Sequence, residues 1–279
     1  MDRRQFLTVL AAGTATALGV TAPVASAQPG PTIRLPGLPP LSLPALPGVP
    51  QAVPGERPSP AGLLPPDVKS RRPLPPNPIK ALPGPGRHMA LTIDDGADSA
   101  VVESYIRFAE DTGARFTFFV TGSYPSWTDH RVRLRRLVDS GQIQLGNHTW
   151  THPNLTRVPE SVIVDELQKT KRFLRNTFGV DGSPYYRPPY GRRTNRVDAV
   201  AADVGYPAST VWYGTLEDSR VITEKILIEN ARKYFRPQSV VIGHANRRPV
   251  THVYDELVEI IRDRKLRLVT LDDYFLPFH

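Results

Sequence analysis

The distribution of proline divides this chain of 279 residues into two unlike parts. Nineteen of the 30 prolines lie between Gln28 and Gly86, and only ten lie beyond Gly86. A segment this rich in proline, and without an aromatic residue, cannot bury enough apolar surface to fold by itself, so we predict a disordered linker over 28–86. Residues 87–279 are enough for one hydrophobic core and too few for two. The sequence therefore predicts one folded domain, 87–279, behind a long linker.

Residues 1–27 have the pattern of a secretory signal peptide. Two arginines precede Phe6 and Leu7, an Ala-rich apolar run follows, and small residues occupy positions 25–27. An apolar core this short, with a charged start, is typical of a cleaved signal and not of a membrane-spanning helix. The paired arginines with Phe6 and Leu7 favour the twin-arginine route over an ordinary signal peptide. We therefore expect an exported protein, extracellular or associated with the cell wall, without a transmembrane anchor after cleavage.

The net charge of +8 is concentrated outside the predicted domain. Residues 1–86 carry 8 Lys/Arg and 3 Asp/Glu, giving +5, whereas residues 87–279 carry 27 and 24, giving +3. A mildly basic domain without a basic helix or a finger motif is not expected to bind nucleic acid. A cationic linker can still associate with an acidic wall polymer. The chain has no cysteine, which excludes disulfides, thiolate metal ligands and a cysteine nucleophile.

Short apolar runs alternate with amphipathic stretches throughout the predicted domain. The apolar runs span 88–93, 115–120, 142–146, 184–188, 207–212, 239–243 and 266–270. The amphipathic stretches span 99–112, 131–140, 159–178, 194–204, 223–234 and 252–264. Pro159 and Gly179 frame the third of these as a helix start and a helix stop. Seven strands alternating with six helices predict a parallel α/β fold, in which chemistry collects at the carboxyl ends of the strands.

Two of the predicted strands end in residues that can bind a metal ion. Asp94 and Asp95 follow the first strand, although before Gly96 they are equally consistent with an ordinary turn. The third strand leads into His148 and His152, which at a spacing of four can chelate one ion or form a polar corner without one. Asp95 is the carboxylate available to complete a site of three ligands, with positions left for water and substrate.

Three further strand ends carry candidate catalytic residues. Arg187 lies in a loop stiffened by two prolines, where a guanidinium can hold a catalytic carboxylate ionised; a surface arginine is the alternative. His244 follows a strongly apolar strand and is placed for general acid chemistry. Asp218 follows the fifth predicted strand, from which it could orient this histidine.

In this order the motifs resemble those of the polysaccharide deacetylases with a NodB homology domain, carbohydrate esterase family 4. The most specific pieces are Thr92-x-Asp94-Asp95-Gly96, His148-Thr149-x-x-His152-Pro153 and Arg187-x-Pro189-Tyr190. The resemblance covers essentially all of 87–279 and none of the preceding segment. It implies a distorted (β/α)7 barrel, which agrees with the seven strands predicted from the sequence pattern.

The resemblance also implies a role for each candidate residue. It implies a divalent metal ion, commonly Zn2+ with Co2+ or another divalent ion as alternatives, bound by Asp95, His148 and His152. Asp94 would be the general base, ion-paired with Arg187. His244 would be the general acid, oriented by Asp218, and the backbone N–H of Tyr190 would help to bind the oxyanion. No other cofactor is implied.

One position departs from the family pattern, because Ser219 stands where a tryptophan is frequent in the wall of the acetyl pocket. The implied activity is hydrolysis of N-acetyl groups on a cell-wall or extracellular glycan by a monomeric enzyme, with peptidoglycan the first candidate and chitin oligomers the second. The alternatives are an O-acetyl esterase acting on a xylan-like glycan, a barrel amidohydrolase acting on a small cyclic amide, and a catalytically silent wall-binding protein. A silent protein would lack a base, a ligand or an acid, and none is missing from this sequence.

Overall fold

The computed structural model describes residues 62–64, 66–69 and 71–277. The predicted signal peptide and the first part of the predicted linker lie outside these residues. Within them, the eight strands are β1 (His88–Asp95), β2 (Phe116–Val120), β3 (Ile143–Asn147), β4 (Tyr185–Tyr186), β5 (Ala208–Ser209), β6 (Gly214–Thr215), β7 (Val240–His244) and β8 (Arg267–Leu268). The eight α-helices of the same part are α1 (Ser99–Thr112), α2 (Ser126–Asp129), α3 (Arg131–Asp139), α4 (Glu160–Phe178), α5 (Asn195–Asp203), α6 (Glu224–Tyr234), α7 (Tyr254–Asp263) and α8 (Leu271–Tyr274).

The helices begin and end where local chemistry favours it. α1 begins after Asp98, whose carboxylate accepts hydrogen bonds from the first backbone N–H groups of the helix. α4 begins after Pro159 and ends before Gly179, whose φ of 74° is left-handed, as the sequence predicted. Among the described residues, every helix is too short or too polar to cross a membrane.

The strands form one curled parallel sheet with the order β5-β4-β3-β2-β1-β7-β6, and β8 pairs with the first residues of β1. Every residue of β2 and β3 is buried, as expected for a parallel sheet whose faces are both covered. In the described part of the chain no pairing joins β5 to β6, so the barrel is open along this seam. The parallel α/β fold predicted from the sequence pattern and the distorted (β/α) barrel implied by the family resemblance are both confirmed.

Only Ala208–Ser209 of the predicted fifth strand, 207–212, forms a strand, and a separate strand, β6, follows just beyond it. The first of these, β5, pairs with β4, whereas the chain then crosses to the other end of the sheet and forms β6 beside β7. Along this crossing, Val211 donates its N–H to the carbonyl of Ile79 and Tyr213 donates to Val240. An apolar run with strand character does not reveal where the strand will end or which strands the chain will pair with.

The last part of the Pro-rich segment packs against the barrel, so the prediction of a free linker as far as Gly86 is wrong for these residues. Arg72 forms a bridge with Phe275, Ile79 with Thr210 and Ala81 with Ser239. Ile79 is 1% exposed, and it belongs to an apolar cluster with side chains from β1, β2 and β7. We call residues 71–82 the strap.

The strap can pack against the barrel because an extended chain needs only a few hydrogen bonds to attach to a surface that is already folded. Ile79 donates its N–H to Ser209 at 2.8 Å, and Leu82 donates to Gln238 at 2.8 Å. These contacts connect the end of β5 with the residues that precede β7. Composition predicted correctly that the segment has no core of its own, but a few apolar residues between prolines suffice to anchor it on an existing core.

Candidate active site and metal centre

A cleft of about 420 Å³ opens at the carboxyl ends of the strands. Its walls are Asp94, Asp95, Tyr124, His148, His152, Tyr190, Gly191, Trp212, Thr215, Ser219, Ile242, His244 and Asn246. Six of the eight residues predicted as site residues line it directly. The other two, Arg187 and Asp218, are almost fully buried and contact the side chains of cleft residues from behind. The structure therefore brings all eight together.

The Asp-Asp-Gly turn at the end of β1 directs two neighbouring carboxylates to different partners. Asp95 has a left-handed φ of 74°, and Gly96 follows with a φ of 93°. A Cβ atom on Gly96 would lie 2.3 Å from the ring of the buried Trp127, so only glycine fits. Because of this turn, Asp94 meets an arginine while Asp95 meets two histidines.

The second carboxylate, Asp95, forms a compact group with His148 and His152. Asp95 Oδ1 lies 3.4 Å from His148 Nε2 and 3.3 Å from His152 Nε2. One ligand atom from each of the three lies within 4.8 Å of the others. His148 Nδ1 donates to the carbonyl of Arg187 at 2.7 Å, which leaves the lone pair of Nε2 free for an ion. One carboxylate and two imidazoles are ligands that suit Zn2+ and similar divalent ions, so these residues fit a metal centre.

Electrostatics within this group favour a cation. Burial opposes ionisation of Asp95, but the hydrogen bond and positive charge of His148 outweigh it and lower the pKa of Asp95. Burial and the charge of His148 lower the pKa of His152, which favours its neutral, ligating form. Burial disfavours the charged ring of His148, but the carboxylates of Asp94 and Asp95 outweigh it and raise the pKa of His148. The ionised Asp95 carboxylate thus favours a positive charge on or beside His148, and a divalent ion could supply that charge in place of the ring proton.

A carboxylate that the sequence analysis did not single out holds the loop of the two histidines. Glu166 on α4 accepts hydrogen bonds from the backbone N–H of Trp150 at 2.8 Å and of Thr151 at 2.7 Å, and from the Thr151 hydroxyl at 2.7 Å. Glu166 is only 6% exposed. These bonds stabilise a loop in which His152 has the unfavourable left-handed φ of 62°. A glutamate on the buried face of an otherwise amphipathic helix was the available signal.

The first carboxylate, Asp94, is held by a buried ion pair. Arg187 Nη1 lies 2.6 Å from Asp94 Oδ1, and the two residues are 0% and 2% exposed. The guanidinium also donates to the carbonyls of Thr210 and Val211, each at 3.2 Å, and its Cζ lies 4.2 Å from the centroid of the Phe119 ring. Arg187 is therefore fixed on several sides, and the Asp94 carboxylate is fixed with it.

His244 and Asp218 form a second buried pair across the cleft. His244 Nδ1 donates to Asp218 Oδ1 at 2.9 Å, and the His244 backbone N–H donates to Asp218 Oδ2 at 3.1 Å. Burial favours the neutral ring, but the hydrogen bond to Asp218, together with the charges of Asp218, Asp94 and Asp95, raises the pKa of His244. The imidazolium therefore persists to a higher pH than that of an ordinary histidine.

The remaining walls of the cleft include several aromatic and apolar side chains. Tyr190 has a left-handed φ of 62°, is 63% exposed, and places its ring centroid 4.6 Å from that of His152. Trp212 lies against Gly191, where a Cβ atom would be 2.7 Å from the indole ring. Ser219, the departure noted in the sequence, lines the same cleft as Trp212 and Ile242. These two apolar side chains provide walls on which an acetyl methyl group can pack.

The chain matches a family model over residues 81–209, and the description of that model is polysaccharide deacetylase. Residues 81–209 therefore have the sequence pattern of a polysaccharide deacetylase domain. Peptidoglycan-N-acetylglucosamine deacetylase of Bacillus cereus is 28% identical over 199 residues, which are 67% of this chain and 68% of the relative. The protein of the same name from Listeria monocytogenes is 25% identical over 189 residues, which are 68% of this chain but only 39% of the relative. This chain thus spans about two fifths of the length of the Listeria protein.

Solved structures agree with the fold of this deacetylase domain. A carbohydrate esterase family 4 pseudoenzyme from Bacillus anthracis superimposes with a TM-score of 0.63 at 21% identity, covering 73% of this chain and 72% of the pseudoenzyme. At this identity the likeness concerns the fold. That neighbour is a pseudoenzyme. Whether this chain has every residue that catalysis would require therefore becomes the relevant question.

Proposed function

We propose that this protein is an exported, metal-dependent polysaccharide deacetylase that hydrolyses N-acetyl groups of a cell-wall or extracellular glycan. The observation that carries the proposal is the position of Asp94. Its carboxylate bonds to Arg187 through Oδ1, and its Oδ2 lies 3.6 Å from His148 Nε2, beside the group of metal-ligand atoms. A base fixed this close to a cation site is suited to activating water for attack on an acetamide.

Asp95, His148 and His152 would hold the divalent ion, with Zn2+ the first candidate. When bound, the ion supplies Lewis-acid chemistry, which stabilises negative charge developing on oxygen. Asp94 accepts the proton of the attacking water. Arg187 orients the Asp94 carboxylate and balances its charge.

His244 completes the reaction on the leaving group. When the carbon–nitrogen bond breaks, the electron pair goes to the sugar nitrogen, and the His244 imidazolium gives this nitrogen its proton from Nε2. Asp218 keeps the other ring proton on Nδ1 and so fixes the tautomer. The products are acetate and a free amino sugar.

The loop of Tyr190 is suited to stabilising the transition state. A backbone N–H aimed at the developing oxyanion is worth about 3–4 kcal/mol, and we assign this role to the N–H of Tyr190. The left-handed conformation of Tyr190 and the fit of Gly191 against Trp212 fix the loop at the wall of the cleft. The exposed Tyr190 ring offers a surface on which a sugar ring can stack.

Peptidoglycan is the first candidate substrate. The named relatives from Bacillus cereus and Listeria monocytogenes are peptidoglycan deacetylases, and the predicted export signal of residues 1–27 would deliver this protein to the cell wall. Three cleft residues, Gly191, Ser219 and Asn246, are each followed directly by an arginine, and all three arginines are exposed. Exposed arginines next to cleft residues in the chain favour a glycan that carries carboxylates over a neutral one, although Arg220 also lies 3.6 Å from the carboxylate of Glu217.

The alternative of a silent wall-binding protein predicts a defect in the catalytic set. Base, ligands, acid and both orienting residues are instead present and in contact, which supports an active enzyme. An O-acetyl esterase would use the same cleft, so the choice between amide and ester rests on measurement.

Acetate release tests the proposal. We expect release from purified peptidoglycan and from N-acetylglucosamine oligomers by protein loaded with Zn2+, and none after removal of the ion by a chelator. Acetylated xylan serves as the ester substrate in parallel. Release from xylan alone would replace the amidase proposal by the esterase, and no release from any substrate by metal-loaded protein would support the silent alternative.

A further inference from the structure

Asn246, in the loop after β7, contacts the Asp95 carboxylate. Its Nδ2 donates to Asp95 Oδ2 at 2.6 Å, which is a short hydrogen bond to a charged acceptor. Its Oδ1 accepts the backbone N–H of Ala97 at 3.1 Å. One side chain therefore ties the loop after β7 both to a metal-ligand candidate and to the turn that carries it.

The two oxygens of the Asp95 carboxylate consequently have different surroundings. Oδ1 lies toward His148 and His152, at 3.4 and 3.3 Å, and Thr121 Oγ1 donates to it at 3.4 Å. Oδ2 is engaged by Asn246. Rotation of the carboxylate about its Cβ–Cγ bond would break the bond to Asn246, so the amide fixes which oxygen faces the histidines.

The loop that supplies Asn246 is itself anchored beside this turn. The N–H of Ala245 donates to the carbonyl of Asp94 at 2.9 Å, and the N–H of Asp98 donates to the carbonyl of Ala245 at 3.1 Å. The backbone that carries Asn246 and the backbone that carries Asp95 are therefore held together by hydrogen bonds of their own.

The chemistry of the two partners calls for a carboxamide. Asp95 presents an acceptor and Ala97 a donor, and an asparagine side chain is the shortest that answers both. An aspartate at position 246 would bring two carboxylates together, whereas alanine would leave both groups without this partner.

We propose that Asn246 is a positioning residue of the metal centre, which holds Asp95 so that the ion receives one carboxylate oxygen, Oδ1, and not both. This inference rests on the proposed metal site. Hydrogen-bonding partners of metal ligands commonly contribute a factor of 10–100 to metal affinity, because they fix ligand orientation.

The test compares the intact protein with Asn246→Ala and with Asn230→Ala as a matched control. Asn230 is a half-buried asparagine on α6, and its amide donates to the carbonyl of Leu216 instead of to Asp95. Zn2+ affinity is measured by competition with a chromophoric chelator, and the visible spectrum of the Co2+ form reports coordination. We expect Asn246→Ala to bind Zn2+ about 10–100-fold more weakly with an altered Co2+ spectrum, and the control to match the parent.

The outcomes separate this inference from the proposed function. A parent protein that binds neither Zn2+ nor Co2+ contradicts the metal site itself. A parent that binds, with an Asn246→Ala variant of equal affinity and equal Co2+ spectrum, overturns the role of Asn246, even if the metal-free variant melts at a lower temperature. If alanine prevents folding, Asn246→Leu keeps the side-chain volume without either hydrogen bond, and unchanged affinity in that variant likewise overturns the inference.

Discussion

Asp218 accepts two hydrogen bonds from His244, one from the ring at 2.9 Å and one from the backbone N–H at 3.1 Å. Both oxygens of this carboxylate are therefore used to fix a single residue. Asp218 is 1% exposed, so its charge acts on the ring with little screening by water. The tautomer of His244 and the position of its free nitrogen follow from this pair.

Asp218→Asn is expected to shift the pH dependence of activity. The Asp218 charge helps to raise the pKa of His244 against the opposing effect of burial, so the ring stays protonated up to a higher pH. Activity that needs the imidazolium declines as the pH rises through this pKa. Without the charge the pKa of His244 falls, and the basic limb of kcat/KM should move to lower pH. The measurement is a pH profile of acetate release, with the exposed Asp203→Asn as control; an unmoved basic limb would count against His244 as the acid.

Asp94→Asn should abolish most turnover while the metal remains bound. The substitution keeps the shape of the side chain but removes the base, and positioned acid–base groups contribute about 10²–10⁴-fold to rate. Asp95, His148 and His152 are unchanged, so metal content measured on the purified variant should equal that of the parent. Turnover within tenfold of the parent would show that another group accepts the proton.

His152→Ala should lose metal and activity together. The substitution removes one of three converging ligand atoms and leaves a site that binds a divalent ion much more weakly. His252→Ala is a suitable control, because His252 is an exposed histidine paired with Glu224 on the surface. Stoichiometric metal retained by His152→Ala after dialysis against a chelator would remove His152 from the ligand set.

Arg187→Met should destabilise the protein by about 3–5 kcal/mol, because it leaves the Asp94 carboxylate buried without its partner. Urea unfolding of the metal-free protein measures this cost. The double variant Asp94→Asn with Arg187→Met should be more stable than Arg187→Met alone, since it has no uncompensated charge. It should remain less stable than the parent, because the hydrogen bonds to Thr210 and Val211 are lost in both. A double variant as unstable as the sum of the single variants would mean that Arg187 does not compensate Asp94.

Removal of the strap should weaken the fold. Burial of a side chain such as Ile79 or Leu82 stabilises by about 1.5–3 kcal/mol, and truncation to alanine in a core commonly costs about 2–5 kcal/mol. We expect residues 87–279 alone to melt well below residues 62–279, and Ile79→Ala to melt between them. Lys80→Ala, an exposed change in the same segment, should have no effect. Equal melting of the two truncations would restore the linker boundary at Gly86.

The sequence predicted the fold and the site best where a motif consists of residue types that serve few chemical roles. The regular alternation of strands and helices was sufficient to predict a parallel α/β fold with Asp94, Asp95, His148 and His152 near strand ends. The barrel was implied by the resemblance to the NodB-type deacetylases. Each of these signals is local, because the residues of a motif are neighbours in the chain and parallel strands deliver their ends to the same edge.

Contacts between distant segments could not be predicted in the same way. Asn246 meets Asp95 across 151 positions of the chain, and Glu166 supports a loop 15 positions before it. Neither residue belongs to a recognisable motif, and asparagine and glutamate are ordinary surface residues elsewhere. The strap was missed for a related reason: composition reports whether a segment can build a core, and not whether it can join the core of another.

The carbonyl of Arg187 accepts the Nδ1 proton of His148, while its guanidinium bonds to Asp94. One residue thus holds both the proposed base and a proposed metal ligand in position. A shift of this backbone by a few tenths of an ångström would move Asp94 and His148 together, so the spacing between these two side chains would be preserved. Efforts to evolve the protein toward another acyl group should therefore leave this loop and Trp212, whose ring centroid lies 5.8 Å from Arg187 Cζ, intact and vary the exposed Ser219.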